Sequence, residues 1–399
     1  MTGARRRRAP WVATLLAAVA LGGCDRIDRL EHDRPADSGA GDVRDAPVID
    51  AAAPADAAPP ADAPTDAAAP TDAAAPDGGC GSGLQACAGD CIPAADACNP
   101  VWTQRPDSLT PPGRRAPNLA FDSARGVTVL FGGNNGPALD DTWELDDTGW
   151  HQRGSAHKPA PRANAAFAFD PVRGHAVLFG GADGGWQPYG DTWTWNGTDW
   201  TAVATTGPAA RSGARAVWDE TRQAVRLFGG AGATAYDDLW EWDGASWQEH
   251  EPAGARPAAR ASFALAYEPA PSGGALVVFG GDLGTGGKSQ DTWVLEASGW
   301  SAPAGLAPPG ARDAATFVYF PPRAAAILFG GADSYYLDDT WAWDGAAWTQ
   351  LHPGFAPIRR NAAGMVYDSR RHVLVLFSGA GATGDQLNPY LRDTWEMKW

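Results

Sequence analysis

The sequence predicts an all-β protein, a six-bladed β-propeller that follows a signal peptide, an acidic linker and a small cysteine-rich module. Two observations carry this prediction. A unit of about 49 residues recurs six times between Arg114 and Trp399, and a period of this length is typical of propeller blades. Tryptophan is also unevenly distributed, because only Trp11 of the 19 tryptophans precedes residue 100. We therefore assign residues 101–399 to the propeller.

Residues 1–23 have the layout of a signal peptide. A positive stretch, Arg5–Arg8, precedes an apolar run from Trp11 to Leu21 that is too short to persist as a membrane-spanning helix. The run ends in Leu21-Gly22-Gly23-Cys24, which resembles the lipobox of bacterial lipoproteins. The resemblance implies that Cys24 is acylated and that its lipid anchors the exported protein in the cell envelope, at the outer membrane, in the periplasm or on the surface. The alternative is an ordinary secretory signal with a chance cysteine.

Residues 24–79 consist mostly of Ala, Asp and Pro, with near-repeats such as Asp66–Pro70 and Asp72–Pro76. Frequent proline interrupts helices, and the segment has almost nothing apolar to bury, so we predict a disordered tether.

Residues 80–100 form the cysteine-rich module, with Cys80, Cys87, Cys91 and Cys98. An even number of cysteines in an oxidising compartment predicts two disulfides, whose pairing the spacing leaves open. Zinc binding is the alternative, but the segment contains no histidine that could serve as a ligand.

The repeated unit has a fixed order of residues. It opens with an arginine, at Arg114, Arg162, Arg211, Arg260, Arg312 and Arg360. Seven residues later comes an aromatic, at Phe121, Phe169, Trp218, Tyr267, Tyr319 and Tyr367. An apolar run then ends in Phe and a glycine pair, which is Ser378-Gly379 in the last unit. Next comes an aspartate, at Asp141, Asp191, Asp238, Asp291, Asp339 and Asp393, with a tryptophan two residues after it. Strand lengths and turn residues predict a four-stranded antiparallel blade per unit.

Paired glycines after an apolar strand, then Asp-x-Trp and a closing tryptophan, resemble the kelch family, whose propellers include that of galactose oxidase. The resemblance covers residues 101–399 and implies a closed ring of six blades. The closing tryptophans are Trp150, Trp200, Trp247, Trp300, Trp348 and, in the last unit, Trp399. The segment Val101–Gln104 matches the fourth-strand pattern Ala347–Gln350, and the chain stops at Trp399. We therefore predict that the strand near Trp102 completes the sixth blade, where Trp102 and Trp399 would compete for one site.

Candidate ligand-binding residues come from positions at which the units differ. The repeated arginine, glycine pair and aspartate should share one face of the disc and pair structurally, since all six copies are alike. The loops between the second and third strands lie on this face, which we call the loop face, and their side chains could stack on or hydrogen-bond a sugar or a peptide. The candidates are Asn134, Trp186, Tyr189, Arg215, Tyr236, Gln290, Tyr335, Tyr336, Asp385, Asn388 and Tyr390. Arg215 joins them from an inner strand, because the other units have no charge at its position. The alternative is that the loops are only filler.

Several functions are disfavoured. The net charge of −16 argues against a nucleic-acid partner. The stretch 379–384 matches a dinucleotide-binding string, but no helix is expected after it. The copper site of galactose oxidase needs a tyrosine crosslinked to cysteine, and the propeller segment has no cysteine. We therefore predict no cofactor, no metal site and no catalytic residues.

The sequence best fits a monomeric, non-enzymatic binding module for protein or glycan, displayed on the cell envelope. The alternative is a periplasmic sugar-modifying enzyme resembling the kelch-type sialic acid mutarotases. Such an enzyme needs a general acid or base near the axis, for which Asp385 and Arg215 are the weak candidates. A third hypothesis is a purely structural surface protein.

Overall fold

The computed structural model describes residues 84–87, 90–93, 99–106, 108–203, 206–252, 254–270, 273–381 and 389–399. The predicted signal peptide, tether and lipidation site Cys24 lie outside the described residues, as do Cys80, Cys98, Asp385 and Asn388. Within the cysteine-rich module, β1 (Leu84–Cys87) and β2 (Asp90–Pro93) pair as an antiparallel hairpin. The disulfide prediction therefore stays a prediction.

Six four-stranded antiparallel sheets follow. The first blade contains β4 (Asn118–Asp122), β5 (Val127–Asn134), β6 (Ala138–Asp146) and β7 (Gly149–Arg153). The second contains β8 (Ala166–Asp170), β9 (His175–Phe179), β10 (Thr192–Trp195) and β11 (Trp200–Val203). The third contains β12 (Arg215–Asp219), β13 (Ala224–Phe228), β14 (Leu239–Trp242) and β15 (Trp247–His250).

The fourth blade contains β16 (Ala264–Glu268), β17 (Ala275–Phe279), β18 (Thr292–Glu296) and β19 (Gly299–Ser301). The fifth contains β20 (Thr316–Phe320), β21 (Ala325–Phe329), β22 (Thr340–Trp343) and β23 (Trp348–Leu351), with a 3₁₀ turn at Pro321–Arg323. The sixth contains β25 (Gly364–Asp368), β26 (Val373–Phe377), β28 (Thr394–Lys398) and the N-terminal β3 (Val101–Gln104). A short pair, β24 (Arg360–Asn361) and β27 (Ala380–Gly381), lies beside it.

The inner strands close the ring. The first strand of each blade contacts the first strand of the next, in the order β4, β8, β12, β16, β20, β25 and back to β4. The predicted all-β, six-bladed propeller is therefore confirmed.

The hydrophobic core lies between neighbouring blades rather than inside any one of them. Second strands such as β26 are buried along their whole length because both of their faces meet another layer of protein. In one cluster, Val129 and Phe131 of the first blade pack with Phe167 and Leu178 of the second. One sheet alone could not bury both faces, so stacking in a ring is what makes the core continuous.

The closing tryptophans tie each blade to the one before it. Four of them donate the indole N–H to a buried threonine hydroxyl of the preceding blade at 2.9 Å: Trp150 to Thr394, Trp200 to Thr142, Trp247 to Thr192 and Trp348 to Thr292. In the third blade Leu239 stands where these threonines are, so Trp300 meets an apolar site instead, with its ring 5.2 Å from that of Phe228.

Two contacts close the ring between the last blade and the chain start. Strand β3 pairs antiparallel with β28, as predicted, with Trp102 opposite Met397. Trp102 is only 2% exposed and lies 5.4 Å from the ring of Phe329, so it takes the closing-tryptophan position. The expected competition with Trp399 was wrong. Trp399 follows the end of β28 and stacks on the guanidinium of Arg323 at 5.2 Å.

The second closing contact is made by Ser378, which replaces the first glycine of the repeated pair. Its hydroxyl oxygen accepts the backbone N–H of Arg114 at 2.9 Å and lies 2.6 Å from the carbonyl oxygens of Arg114 and Leu391. At the matching Gly132, a Cβ atom would come within 2.4 Å of the carbonyl of Arg162. In the last blade the Ser378 hydroxyl therefore makes hydrogen bonds at a position where the other blades require glycine.

Candidate functional site: an axial cavity

The repeated arginines and aspartates of the loop face form the scaffold. Arg114 is fully buried and donates both terminal nitrogens to Asp141, at 2.6 and 2.8 Å, with a further bond to the carbonyl of Gly132. Asp141 also accepts the indole N–H of Trp143 at 2.7 Å. Burial alone would raise the pKa of the Asp141 carboxyl, but the bonds and charge of Arg114 lower it below its ordinary value. The same bidentate pair recurs in all six blades, so these residues are committed to structure.

Three of the predicted ligand-binding residues support this scaffold. The rings of Tyr189 and Tyr236 lie under the guanidinium groups of Arg162 and Arg211, at 4.1 and 4.0 Å. Asn134 is 4% exposed, and its side-chain oxygen accepts the backbone N–H of Gly136. Sequence alone could not reveal these roles, because an aromatic in a variable loop looks the same whether it faces a ligand or covers an ion pair.

The other described loop candidates are spread over several blades. Trp186 has a left-handed backbone, with φ of 62°, and its ring lies 5.0 Å from the guanidinium of Arg115. Gln290 is exposed and Tyr335 is 74% exposed, whereas Tyr336 and Tyr390 are half-buried. None of these loop residues lines the cavity that the six inner strands surround.

That cavity runs along the axis of the ring and has a volume of about 440 Å³. Residues of all six inner strands line it, so its wall is built from the strands that close the ring. Its volume falls in the range of small-molecule sites. Among the predicted site residues that the structure describes, Arg215 alone contributes to its wall.

A ring of backbone hydrogen bonds encircles the axis at the loop-face end of this cavity. The residue two positions after each repeated arginine donates its N–H to the carbonyl of its counterpart in the preceding blade, at 2.7–3.1 Å. These residues are Ala116, Asn164, Gly213, Ser262, Ala314 and Ala362, and each has a positive φ between 48° and 68°. Six backbone segments linked in this way narrow the axial cavity at its loop-face end. The mostly small residues at this position of the repeat are the sequence signal from which the ring could have been predicted.

Arg215 lies next to this ring. Its Nη1 donates to the side-chain oxygen of Asn164 at 3.0 Å, and the amide of Asn164 in turn lies 3.4 Å from the hydroxyl of Ser262. Among the described residues, no carboxylate comes within 4 Å of its guanidinium, unlike that of every repeated arginine. Enclosure by protein lowers the pKa of Arg215 to about 10, with Asp313 partly opposing the shift, so the group is still cationic at pH 7.

The opposite end of the cavity is surrounded by aromatic side chains. The aromatic of each repeat lines it: Phe121, Phe169, Trp218, Tyr267, Tyr319 and Tyr367. We call these six residues the aromatic collar, and the face they open on, which carries the short turns between first and second strands, the turn face. Glu220 on this face is the one carboxylate among the described residues that line the cavity, and Arg215 is the one cation.

The polar tips of the collar differ in their bonding. The Tyr267 hydroxyl is 3.0 Å from that of Thr221, and the Tyr367 hydroxyl is 2.9 Å from His372 Nδ1. Within the described part of the chain, the indole N–H of Trp218 and the hydroxyl of Tyr319 have no hydrogen-bond partner, and neither atom is buried. Burial, with Glu268 and Glu220 nearby, raises the pKa of Tyr319, so its hydroxyl stays protonated at neutral pH.

Comparison with known proteins bears on the fold. No protein-family model matches the chain, and no curated protein matches it significantly. Among solved structures, one described as "Structure of YjhT" is similar, with a TM-score of 0.57 and 15% sequence identity over 72% of this chain and 95% of that one. At this level of identity the similarity supports the propeller fold alone.

The described residues lack two features. They include no helix with the length and apolar character needed to cross a bilayer. They also include no cluster of three or more His, Cys, Asp or Glu side chains arranged to hold a metal ion.

Proposed function

We propose that this protein is an exported, lipid-anchored kelch propeller that binds a carboxylate-bearing group of a protein or glycan ligand in its axial cavity. The observation that supports the proposal is the state of Arg215. It is a guanidinium inside a cavity without a carboxylate partner among the described residues, in a molecule that pairs every repeated arginine with an aspartate.

The chemistry of arginine favours an anionic ligand. A planar guanidinium presents paired N–H donors that match the two oxygens of a carboxylate. Both hydrogen bonds of Arg215 leave from Nη1, one to Asn164 and one to the carbonyl of Ala214. Nε and Nη2 are therefore available for a ligand, and the cavity walls would strengthen the attraction by excluding bulk water.

Binding is favoured over catalysis by the distribution of titratable groups. Sugar anomerisation needs a general acid or base close to the reacting carbon. Glu220, the cavity's carboxylate, lies five residues from Arg215, or about 16 Å along an extended strand. The mutarotase alternative is favoured only by the fold and by the carboxylate that sialic acid carries, which Arg215 could hold.

Calorimetric titration of the full chain with carboxylated sugars and acidic peptides tests the proposal. We expect Arg215→Met to weaken binding about 10- to 100-fold, the loss typical of hydrogen bonds to a charged group. The matched control is Arg256→Met, because Arg256 is half exposed and pairs with Asp237 away from the cavity. Equal binding by the two variants would contradict the proposal. Anomerisation of sialic acid above the buffer rate, followed by NMR, would favour the enzyme.

The anchoring part of the proposal has a separate test. Replacing Cys24 by alanine should remove the acylation site, so the protein should move from the membrane fraction to the soluble fraction and lose label from a radioactive fatty acid. An unchanged distribution would mean that Cys24 is not the anchor.

A further inference from the structure

We infer that the aromatic collar is both the entrance of the axial cavity and a carbohydrate subsite, so that the acidic end of a glycan enters from the turn face and not from the loop face. The inference rests on the proposed function, because it assigns the acid group of the ligand to Arg215. It narrows the ligand from a protein or glycan to a glycan that ends in an acidic sugar.

The two ends of the cavity differ in access. At the loop-face end, six backbones are joined around the axis by consecutive hydrogen bonds, and the side chains of Asn164 and Ser262 meet there. At the turn-face end the wall consists of separate short turns, with small residues such as Ser123 and Ser369 at the rim. A ligand as wide as a sugar ring therefore meets less backbone at the collar.

The collar combines apolar ring surface with hydrogen-bonding groups, as a sugar ring does. The first two blades contribute the purely apolar rings of Phe121, which is half-buried, and Phe169, which is only 7% exposed, so Phe121 offers the larger apolar surface. The third and fifth blades contribute Trp218 and Tyr319, whose N–H and O–H are solvent-accessible and without a partner among the described residues. A pyranose presents a C–H face that packs on aromatic rings and a hydroxyl rim that accepts and donates hydrogen bonds. The collar matches both surfaces at once.

The distance between the collar and Arg215 sets the length of the ligand. Arg215 and Trp218 lie three residues apart on β12, which is about 10 Å along a strand. The Arg215 guanidinium turns toward Asn164, away from the collar. One sugar ring cannot fill this span, so the terminal acidic sugar should sit at Arg215 and the next sugar at the collar.

The test compares three ligands on the full chain by calorimetry: glucuronic acid, the disaccharide glucuronosyl-glucose and neutral cellobiose. Wild type should bind the acidic disaccharide more tightly than glucuronic acid. Trp218→Leu should weaken the disaccharide about tenfold, since it removes an aromatic contact and a donor, and should change binding of glucuronic acid less than twofold. Tyr319→Phe, which keeps the ring, is the second variant if Trp218→Leu unfolds. Trp186→Leu on the loop face is the control and should change neither.

The outcomes separate this inference from the proposed function. Binding that is lost in Arg215→Met but unchanged in Trp218→Leu and Tyr319→Phe would overturn the collar as a subsite and leave the function standing. Loss of sugar binding in Trp186→Leu would place the entrance on the loop face and would also overturn the inference. Absence of binding of all three sugars to wild type would overturn the inference. If acidic peptides still bound through Arg215, the proposed function would hold, and the ligand would be a protein.

Discussion

Arginine side chains have opposite environments on the loop face and on the axial wall. On the loop face each repeated arginine is buried, bonded to a carboxylate and covered by backbone or an aromatic ring, and the arrangement recurs in every blade. Among the described residues of the axial wall, the third blade alone has an arginine, and no carboxylate forms an ion pair with it. Positions that recur six times hold the ring together, whereas a single asymmetric position in a symmetric wall can distinguish a ligand. The predictions below test that division.

The largest effect should follow from breaking one repeated pair. Arg312→Met would leave the half-buried Asp339 carboxylate without its partner, so we expect a loss of about 3 kcal/mol in the free energy of unfolding, at the lower end for a buried pair. Arg215→Met should cost less than about 1 kcal/mol, because it removes a cation that forms no ion pair with the described residues. Urea denaturation followed by circular dichroism measures both. Equal losses would remove the distinction between the two regions.

Closure of the ring offers a second comparison between a repeated and a unique position. Trp102 fills a closing-tryptophan site at 2% exposure, so Trp102→Ala should destabilise the propeller by about 3 kcal/mol, at the lower end for a buried tryptophan because β3 is terminal. Trp399→Ala should cost only about 1 kcal/mol, since that half-buried ring packs at the edge of the core cluster and stacks on Arg323 instead of filling a closing position. A larger effect at Trp399 in thermal melting would reverse our assignment.

Ser378 allows the repeated glycine to be compared with its one replacement. Ser378→Ala keeps the left-handed backbone, with φ of 66°, but loses the hydroxyl that bonds Arg114, so we expect a loss of about 2 kcal/mol. Ser378→Gly loses the same bonds but relieves the backbone, and its loss should be about 1 kcal/mol smaller. Chemical denaturation of wild type and both variants measures these losses, and an alanine variant as stable as wild type would show that the hydroxyl contributes nothing.

The smallest effect concerns Glu268, where four other blades have an aspartate that caps a turn, as Asp122 does for Ala124 and Arg125. Burial raises the pKa of Glu268 to about 7, although the nearby indole N–H of Trp343 opposes the shift. The folded state therefore holds a proton that the unfolded state has released, and stability should fall as the pH rises from about 4.5 to about 7 and then level off. Partial exposure limits the change to roughly 1 kcal/mol. Glu268→Gln should flatten this pH dependence in thermal melts, and an identical profile would contradict the assignment.

The fold was predictable because its determinants recur. One arginine, one glycine pair and two tryptophans per unit gave the number of blades, and the match of Val101–Gln104 to a fourth strand predicted the closure. Trp399 was misassigned because it ends the chain as the closing tryptophans end their units, although it lies one strand too early in the blade.

The site was harder to predict because it depends on residues that only meet at the axis. Asn164 and Ser262 are 98 positions apart, and nothing in their local sequence shows that they face each other beside Arg215. The aromatics of the collar recur and so were interpreted as part of the strand pattern. Tyr189 and Tyr236 vary between units and so were interpreted as ligand contacts, although both cover buried arginines. Whether a residue recurs in every unit distinguishes structural residues from ligand-binding residues only when the direction of each side chain is known.

The pairing of β3 with β28 has a consequence for biogenesis. The first and the last propeller strands lie side by side, so the sixth sheet is complete only after β28 has been synthesised. A product truncated before β28 would leave β26 and the early strand without their partner, and unpaired strand edges invite aggregation and proteolysis. Joining head to tail in one sheet thus lets the cell distinguish full-length copies from fragments by their resistance to proteases.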